Sequence, residues 1–169
     1  EITDMKEHPK NLSVEEILVR SSNVGSVILA KKIGKEKFKD FIKKTQLIKN
    51  PVIELEEVGT PHQLRWNKCK LETISFGHGI TTTPLQATSL YASMVNGGNL
   101  ITPSLIKHRK NDKSNKVIST DTSKKLRKIL RKVVSSEIGT ASLADKSGYN
   151  VGGKTGTAES YGKTKNRIN

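Results

Sequence analysis

The strongest structural signal in this 169-residue sequence is a capped helix near its middle. Thr83, Pro84 and Gln86 are typical of a helix start, because Thr caps well, Pro fits the first helical position and Gln completes a capping box. Apolar residues follow at helical spacing, at Ala87, Leu90, Tyr91, Met94 and Val95. Gly97 and Gly98 then end the segment. We therefore predict a buried helix here.

Three shorter helices are predicted before this one. Ser13 and Glu16 form a second capping box and indicate a helix over residues 13–22. A polar triplet then interrupts the apolar face, and a second helix is expected from about Val24 to Ile33. A third is expected near Lys35–Lys44. The first quarter of the chain is therefore predicted to be helical.

Three other segments lack this helical pattern. Residues 46–82 are irregular and contain several Pro and Gly residues, so we predict loop with little regular structure. Residues 100–108 and 116–119 flank a polar turn and predict a β-hairpin. Residues 149–158, bordered by glycines, predict a strand.

The chain is strongly basic, with 30 Lys and Arg residues against 16 Asp and Glu residues, a net charge of +14. Eleven of these basic residues lie between Lys107 and Lys132, against only Asp112 and Asp121. Much of this stretch is a predicted amphipathic helix, capped by Asp121 or Thr122, whose inward residues are Leu126, Ile129, Leu130, Val133 and Val134. A basic outer face is usually only solvated, and its functional alternative is attraction to lipid headgroups or an acidic polymer. With few aromatic residues and no recognition motif, we expect no nucleic-acid binding.

Other patterns exclude several classes of protein. A single cysteine, Cys69, excludes an internal disulfide. No metal site is predicted, because the histidines lack ligand spacing; they are His8, His62, His78 and His108. No run of residues approaches the ~18–20 apolar residues of a membrane span. Because the chain opens on Glu1 rather than Met, we expect a processed chain or a fragment.

Two short motifs carry the chemistry that we infer: Ser-Ser-Asn at residues 21–23 and Lys-Thr-Gly-Thr at residues 154–157. Each is weak alone. The first is also typical of a helix end followed by a new N-cap, and the second of a turn after a strand. Their order and separation, with the capped helix between them, strengthen the functional interpretation.

Together with their flanking segments, these motifs resemble the transpeptidase domain of class B penicillin-binding proteins, and in particular the division-specific peptidoglycan transpeptidases. The segment with the SxN motif is LSVEEILVRSSNVGSVILA. The loop and helix before the hairpin are FGHGITTTPLQATSLYASMVNGG. The approach to the KTG motif is VVSSEIGTASLADKSGYNVGGKTGTAES. The resemblance covers nearly the whole chain.

The resemblance implies an α/β fold like that of penicillin-binding proteins and serine β-lactamases, of which this chain would be an incomplete, helix-rich fragment. It implies a serine D,D-transpeptidase that cross-links stem peptides at D-Ala-D-Ala ends and that β-lactam antibiotics acylate, with no cofactor or metal. It also implies an anchor in the cell inner membrane, a catalytic domain on the periplasmic side, and cell-division or wall-synthesis proteins as partners.

The resemblance also assigns roles to residues. Ser21 would relay protons through its hydroxyl, and Asn23 would hold the substrate backbone and orient the lysine partner of the nucleophile. Lys154 would attract the substrate carboxylate and support proton transfer. These three groups would meet the need of acyl transfer for a proton carrier near the nucleophile and its leaving group.

The remaining roles fall on the end of the KTG motif. Thr155 and Thr157 would offer hydroxyls to the substrate carboxylate, and the Thr157 N–H would serve the oxyanion hole. Gly156, which lacks Cβ, would let the substrate lie close along the strand.

The SxxK motif of the family is not found at its expected position upstream of SxN. The family nucleophile lies in an SxxK motif upstream of SxN, but here the only upstream serine is Ser13, with Glu16 three residues later. Matches at residues 104–107 and 160–163 follow SxN, and we interpret them as coincidental. We therefore expect residues 1–169 to be a partial transpeptidase domain without the upstream SxxK segment and the downstream sheet strands, inactive by itself.

Two alternatives remain open. One is a serine β-lactamase or β-lactam sensor of the same superfamily, although residues 54–58 do not supply the ExxLN-type loop of a class A β-lactamase. The other is a non-catalytic scaffold in a wall-synthesis complex. An SxxK motif upstream of SxN would favour the enzyme.

Overall fold

The computed structural model describes residues 1–107 and 115–157. In these ranges the chain is mostly helical. Its elements are α1 Val14–Arg20, α2 Asn23–Ile33, α3 Lys35–Thr45, α4 Lys70–Ile74, α5 Pro84–Val95, β1 Asn99–Leu100, β2 Asn115–Lys116, α6 Thr120–Ser135 and a 3₁₀ turn at Ser142–Ala144. Five of the six helices confirm the helices predicted from capping and periodicity. Across the described residues, none of the helices has the length and apolar character needed to cross a bilayer.

Helix α6 lies at the centre of the packing. It contacts both α1 and α5, while α2 contacts α1, α3 and α4. Val133 and Val134 of α6 are essentially fully buried, as is Val19 of α1. Of the five residues predicted to face inward on α6, Val133 and Val134 thus lie in the core, whereas Leu126, Ile129 and Leu130 are half-buried.

Helices α1 and α2 approach each other closely at Gly25. A Cβ atom at this position would lie 2.6 Å from the Ile17 Cγ1 atom, which is nearer than real Cβ contacts allow. Glycine therefore lets the two helices pack immediately beside the junction that holds residues 21–23.

The prediction of a buried α5 was wrong for part of its apolar face. Tyr91 is 44% exposed and Val95 is 42% exposed. The buried positions are instead Gln86 and Ser93, and the Ser123 hydroxyl of α6 donates to the Met94 carbonyl oxygen of α5 at 2.7 Å. Periodicity identified the helix but not the residues that it buries.

Two local predictions also need correction. Helix α6 is capped by Ser119, whose hydroxyl accepts from the Thr122 N–H at 3.0 Å, and not by Asp121 or Thr122. The segment 46–82 contains the short helix α4, which contacts α2 and whose Ile74 is buried. A helix of five residues is too short for periodicity to detect.

The predicted strands are shorter than expected or missing. The hairpin pairs only Asn99 with Lys116 and Leu100 with Asn115, and residues 108–114 lie outside the described part. Residues 149–157 form no strand, because no other described strand pairs with them, and residue 158 lies outside the described part.

Candidate active site

Ser21 lies at the junction between α1 and α2. Its backbone is left-handed, with φ 59° and ψ 45°, and its N–H donates to the Leu18 carbonyl oxygen to end α1. Ser22 then caps α2, because its hydroxyl accepts from the Gly25 N–H at 2.9 Å. The junction is indeed a helix end followed by a new N-cap, and this geometry leaves the Ser21 side chain exposed.

Asn23 is the first residue of α2 and is half-buried. Its amide Nδ2 donates to the Thr3 carbonyl oxygen at 3.3 Å, so the side chain is held by the N-terminal segment. The carbonyl oxygen of the amide keeps its capacity to accept a hydrogen bond.

Helix α6 positions the segment that leads into the KTG motif. The Gly153 N–H donates to the Leu130 carbonyl oxygen at 3.1 Å. The Arg131 guanidinium donates to the Val151 carbonyl oxygen at 2.9 Å, and the same nitrogen lies 2.9 Å from the Asp145 carboxylate. These contacts dock the backbone of residues 151–153 onto α6 and fix the position from which residue 154 starts.

The two motifs meet at Lys154 and Ser21. The Lys154 ammonium donates to the Ser21 hydroxyl at 2.6 Å and to the Thr155 carbonyl oxygen at 3.1 Å. Burial disfavours the charged ammonium and lowers the pKa of Lys154 below its ordinary value. A lysine with a lowered pKa, hydrogen-bonded to a hydroxyl, forms a short path along which a proton can move.

The end of the KTG motif faces solvent. The Thr155 hydroxyl lies 2.8 Å from the Thr140 hydroxyl and 3.4 Å from Lys154 Nζ. Gly156 and Thr157 are exposed, and a Cβ atom at Gly156 would meet no described atom within 4 Å. There is room here for a ligand to approach the backbone.

The other predicted positions lie apart from this cluster. Ser104 is outside any helix, and its hydroxyl donates to the Glu54 carboxylate at 2.8 Å. Residues 160–163 lie outside the described part of the chain. In residues 1–107 and 115–157, His, Cys, Asp and Glu side chains form no group of three or more suited to a metal ion.

Two residues that support the cluster were missed from sequence. Arg131 is one of the basic residues of α6, which sequence alone places on a solvated outer face, but its guanidinium donates to the Val151 carbonyl oxygen in the segment before Lys154. Thr140, which contacts the Thr155 hydroxyl, belongs to no motif. The alternation of basic and apolar residues along α6 hides the first, and a lone threonine carries no signal of its own.

The fold is that of the transpeptidase domains of penicillin-binding proteins. The apo transpeptidase domain of Burkholderia pseudomallei penicillin-binding protein 3 superposes with a TM-score of 0.83 at 25% identity, over 92% of this chain and 49% of that one. Mycobacterium tuberculosis penicillin-binding protein 3, solved with ampicillin, gives a TM-score of 0.73 at 23% identity, over 89% of this chain and 35% of that one.

The family follows from the sequence match. The model of the penicillin-binding protein transpeptidase domain matches residues 1–169, so the chain belongs to this family.

Two curated relatives show how much of a whole protein the chain represents. A probable peptidoglycan D,D-transpeptidase FtsI of Caulobacter vibrioides is 33% identical over 94% of this chain and 28% of its own length. Stage V sporulation protein D of Bacillus subtilis is 36% identical over 85% of this chain and 24% of its own length. The chain thus spans about a quarter of the length of these relatives.

Proposed function

We propose that this chain is part of the catalytic domain of a peptidoglycan D,D-transpeptidase, a serine acyltransferase. The observation that carries the proposal is the 2.6 Å contact between the Lys154 ammonium and the Ser21 hydroxyl, which joins two motifs 133 residues apart. Membership of the transpeptidase family and a relative named as a D,D-transpeptidase support it. None of these three observations favours the non-catalytic scaffold or the β-lactam sensor.

The proposed reaction has two acyl transfers. A serine of an SxxK motif, which we place outside these 169 residues, attacks the carbonyl carbon of the penultimate D-Ala. The C–N bond to the terminal D-Ala breaks, and an acyl-enzyme ester forms. The amine of a neighbouring stem peptide then attacks the ester, forms the cross-link and releases the serine.

Ser21 and Lys154 would move the protons. In the first transfer the leaving amine gains a proton, and in the second the attacking amine loses one. A hydroxyl held at 2.6 Å from a lysine of lowered pKa is suited to carry both in turn. Asn23 would hold the substrate backbone and orient the lysine of the SxxK motif.

The end of the KTG motif would bind the substrate. Lys154, Thr155 and Thr157 would interact with the terminal carboxylate, and the Thr157 N–H would stabilise charge as it develops on the carbonyl oxygen. The open space at Gly156 would let the substrate backbone lie alongside the motif. β-Lactams would occupy the same place, and the structural neighbour from Mycobacterium tuberculosis that was solved in complex with ampicillin supports this expectation.

Substrate and partners follow from this activity. Peptidoglycan stem peptides lie outside the cytoplasm, so the domain would work on the periplasmic side of the cell inner membrane in a membrane-anchored protein. Cell-division or wall-synthesis proteins would be its partners.

The proposal is tested on the protein expressed at the full length its gene encodes, by measuring the rate of acylation with a fluorescent penicillin. Lys154→Ala and Ser21→Gly should each lower this rate by about 10²- to 10⁴-fold, because both remove the proton path. Glycine tolerates the left-handed backbone of residue 21, so Ser21→Gly tests the hydroxyl without added strain.

Matched controls come from exposed positions on α6. Lys124→Ala and Ser135→Ala remove an exposed lysine and an exposed serine that form no hydrogen bond with Ser21 or Lys154, and both should acylate like the unchanged protein. Normal acylation of Lys154→Ala and Ser21→Gly would refute the proposed roles.

A further inference from the structure

Asp4 is an acidic residue outside the SxN and KTG motifs, yet it lies against the SxN segment. Its side chain is only 17% exposed. One carboxylate oxygen accepts from the Asn23 N–H at 2.5 Å and from the Val24 N–H at 3.1 Å. The other accepts from the Ser22 hydroxyl at 2.9 Å. One carboxylate therefore receives three hydrogen bonds from three consecutive residues.

These contacts make Asp4 a second cap for α2. The Ser22 hydroxyl accepts from the Gly25 N–H while it donates to Asp4, so the two caps are linked. The N–H groups of Asn23 and Val24 have no partner within the helix, because they belong to its first turn. A negative charge at this end of a helix also interacts favourably with the helix dipole.

The surroundings hold Asp4 in place. His8, whose side chain is 10% exposed, lies with Nε2 4.0 Å from the Asp4 carboxylate. The adjacent Thr3 carbonyl oxygen accepts from the Asn23 amide at 3.3 Å. The segment around residues 3–8 thus forms hydrogen bonds with both the backbone of the SxN motif and the side chain of Asn23.

We propose that Asp4 is a positioning residue, which fixes the backbone of residues 22–24 and thereby holds the Ser21 hydroxyl against Lys154. Ser21 needs such support, because its backbone is left-handed, a conformation that serine rarely adopts. The end of α1 holds Ser21 from one side, and the capped start of α2 holds it from the other. This inference rests on the roles proposed for Ser21 and Lys154.

The test compares Asp4→Ala, Asp4→Asn and Glu7→Ala in the protein expressed at full length. Glu7→Ala is the matched control, because it removes an exposed acid from the same segment. Acylation by a fluorescent penicillin is resolved into the initial binding constant and the acylation rate. Hydrogen exchange read by mass spectrometry reports on the backbone of residues 22–26.

Asp4→Ala should lower the acylation rate by about 10- to 10²-fold while initial binding changes less than about twofold, since misplaced groups slow the chemical step. It should also speed exchange over residues 22–26 and leave α6 unchanged. Asp4→Asn keeps an acceptor for the two N–H groups and should retain most of the rate. Glu7→Ala should match the unchanged protein in every readout.

Two results would overturn the proposal. The first is unchanged exchange over residues 22–26 in Asp4→Ala, which would mean that the carboxylate does not hold this backbone. The second is faster exchange with an acylation rate equal to that of Glu7→Ala, which would mean that the held backbone does not matter for catalysis. A failure of the proposed function itself is recognised separately, because Lys154→Ala and Ser21→Gly would then acylate normally.

Discussion

Ser21 has a strained backbone conformation and an exposed side chain. A left-handed backbone in a residue other than glycine is unfavourable by roughly 1–2 kcal/mol, and Ser21 adopts it at φ 59°. The conformation turns the chain sharply between α1 and α2, and it leaves the hydroxyl free to meet Lys154. Strain of this kind is commonly found where a side chain must be presented for function.

Lys154 should titrate below its value in the unfolded chain. Burial disfavours its charged form, so the folded pKa lies below the unfolded pKa. Between the two values the unfolded state binds more protons, and the free energy of unfolding therefore rises with pH in that interval. NMR of protein carrying ¹³C-labelled lysine, recorded folded and in concentrated urea, measures both midpoints.

The Lys154→Arg variant assigns the signal, because that one resonance disappears. A folded midpoint at or above the unfolded one would show that hydrogen bonds to Ser21 and Thr155 outweigh desolvation. A lowered pKa of Lys154 could then no longer explain proton transfer between Lys154 and Ser21.

Sequence identified the motif residues but not their contacts. SxN and KTG are recognisable because each is a fixed local string. The support from Asp4, Arg131 and Thr140 depends on elements far apart in the chain, and a single acid, arginine or threonine is too common to stand out.

At the scale of elements, helix caps explain where the chain changes direction. Ser13 and Thr83 each form a complete capping box, and the helices begin at the residues that follow them. In α5 the capping glutamine also reaches the preceding segment, donating from Gln86 Nε2 to the Gln46 carbonyl oxygen at 3.0 Å. The cap thus fixes both the helix start and the loop beside it.

Thr83→Ala should lower the free energy of unfolding by about 1 kcal/mol, the usual effect of losing an N-cap. The change removes the hydroxyl that accepts from the Gln86 N–H and donates to its side chain. Urea denaturation followed by circular dichroism gives the difference.

Thr88→Ala is the control within the same helix. Its hydroxyl donates to the Pro84 carbonyl oxygen on an exposed surface, so removing it should change stability by less than about 0.5 kcal/mol. Equal losses of unfolding free energy in the two variants would show that the capping hydroxyl of Thr83 stabilises the protein no more than the hydroxyl of Thr88 within the helix.

Helices were easier to predict than strands for a physical reason. Caps and 3.6-residue periodicity are local, so α1, α2, α3, α5 and α6 could be placed from sequence. Strands exist only through pairing with a partner, and sequence does not identify the partner of residues 149–157. The link between α5 and α6 likewise depends on a contact between separate helices, the hydrogen bond from the Ser123 hydroxyl to the Met94 carbonyl oxygen.

At the scale of the whole molecule, the site exists because α6 bridges two regions. It packs on α1, which ends at Ser21, and it docks the segment that precedes Lys154. An ion pair between Lys132 and Glu15 joins α6 to α1 at 2.5 Å. The contact between the motifs is therefore a property of the packed helices and not of either motif alone.

The 169-residue chain should gain no mass when it is incubated with benzylpenicillin. Ser21 is placed as a relay beside Lys154, and the Ser104 hydroxyl is bonded to the Glu54 carboxylate outside any helix. Intact-mass spectrometry makes the measurement.

The protein expressed at full length provides the positive control and should gain one acyl group. Peptide mapping would locate any adduct on the shorter chain. An adduct on Ser21, Ser104 or Ser160 would mean that the nucleophile has been misplaced.

The separation of 133 positions between Ser21 and Lys154 also matters during synthesis. At about 5–20 residues per second, roughly 7–27 s separate the translation of these two residues. Helices α1 and α2 leave the ribosome long before α6 is made, so the surface of α1 that α6 later covers stays exposed in the nascent chain. The two motifs therefore cannot meet until α6 and the segment that follows it have been made, and this interval gives chaperones a period in which to act on this chain.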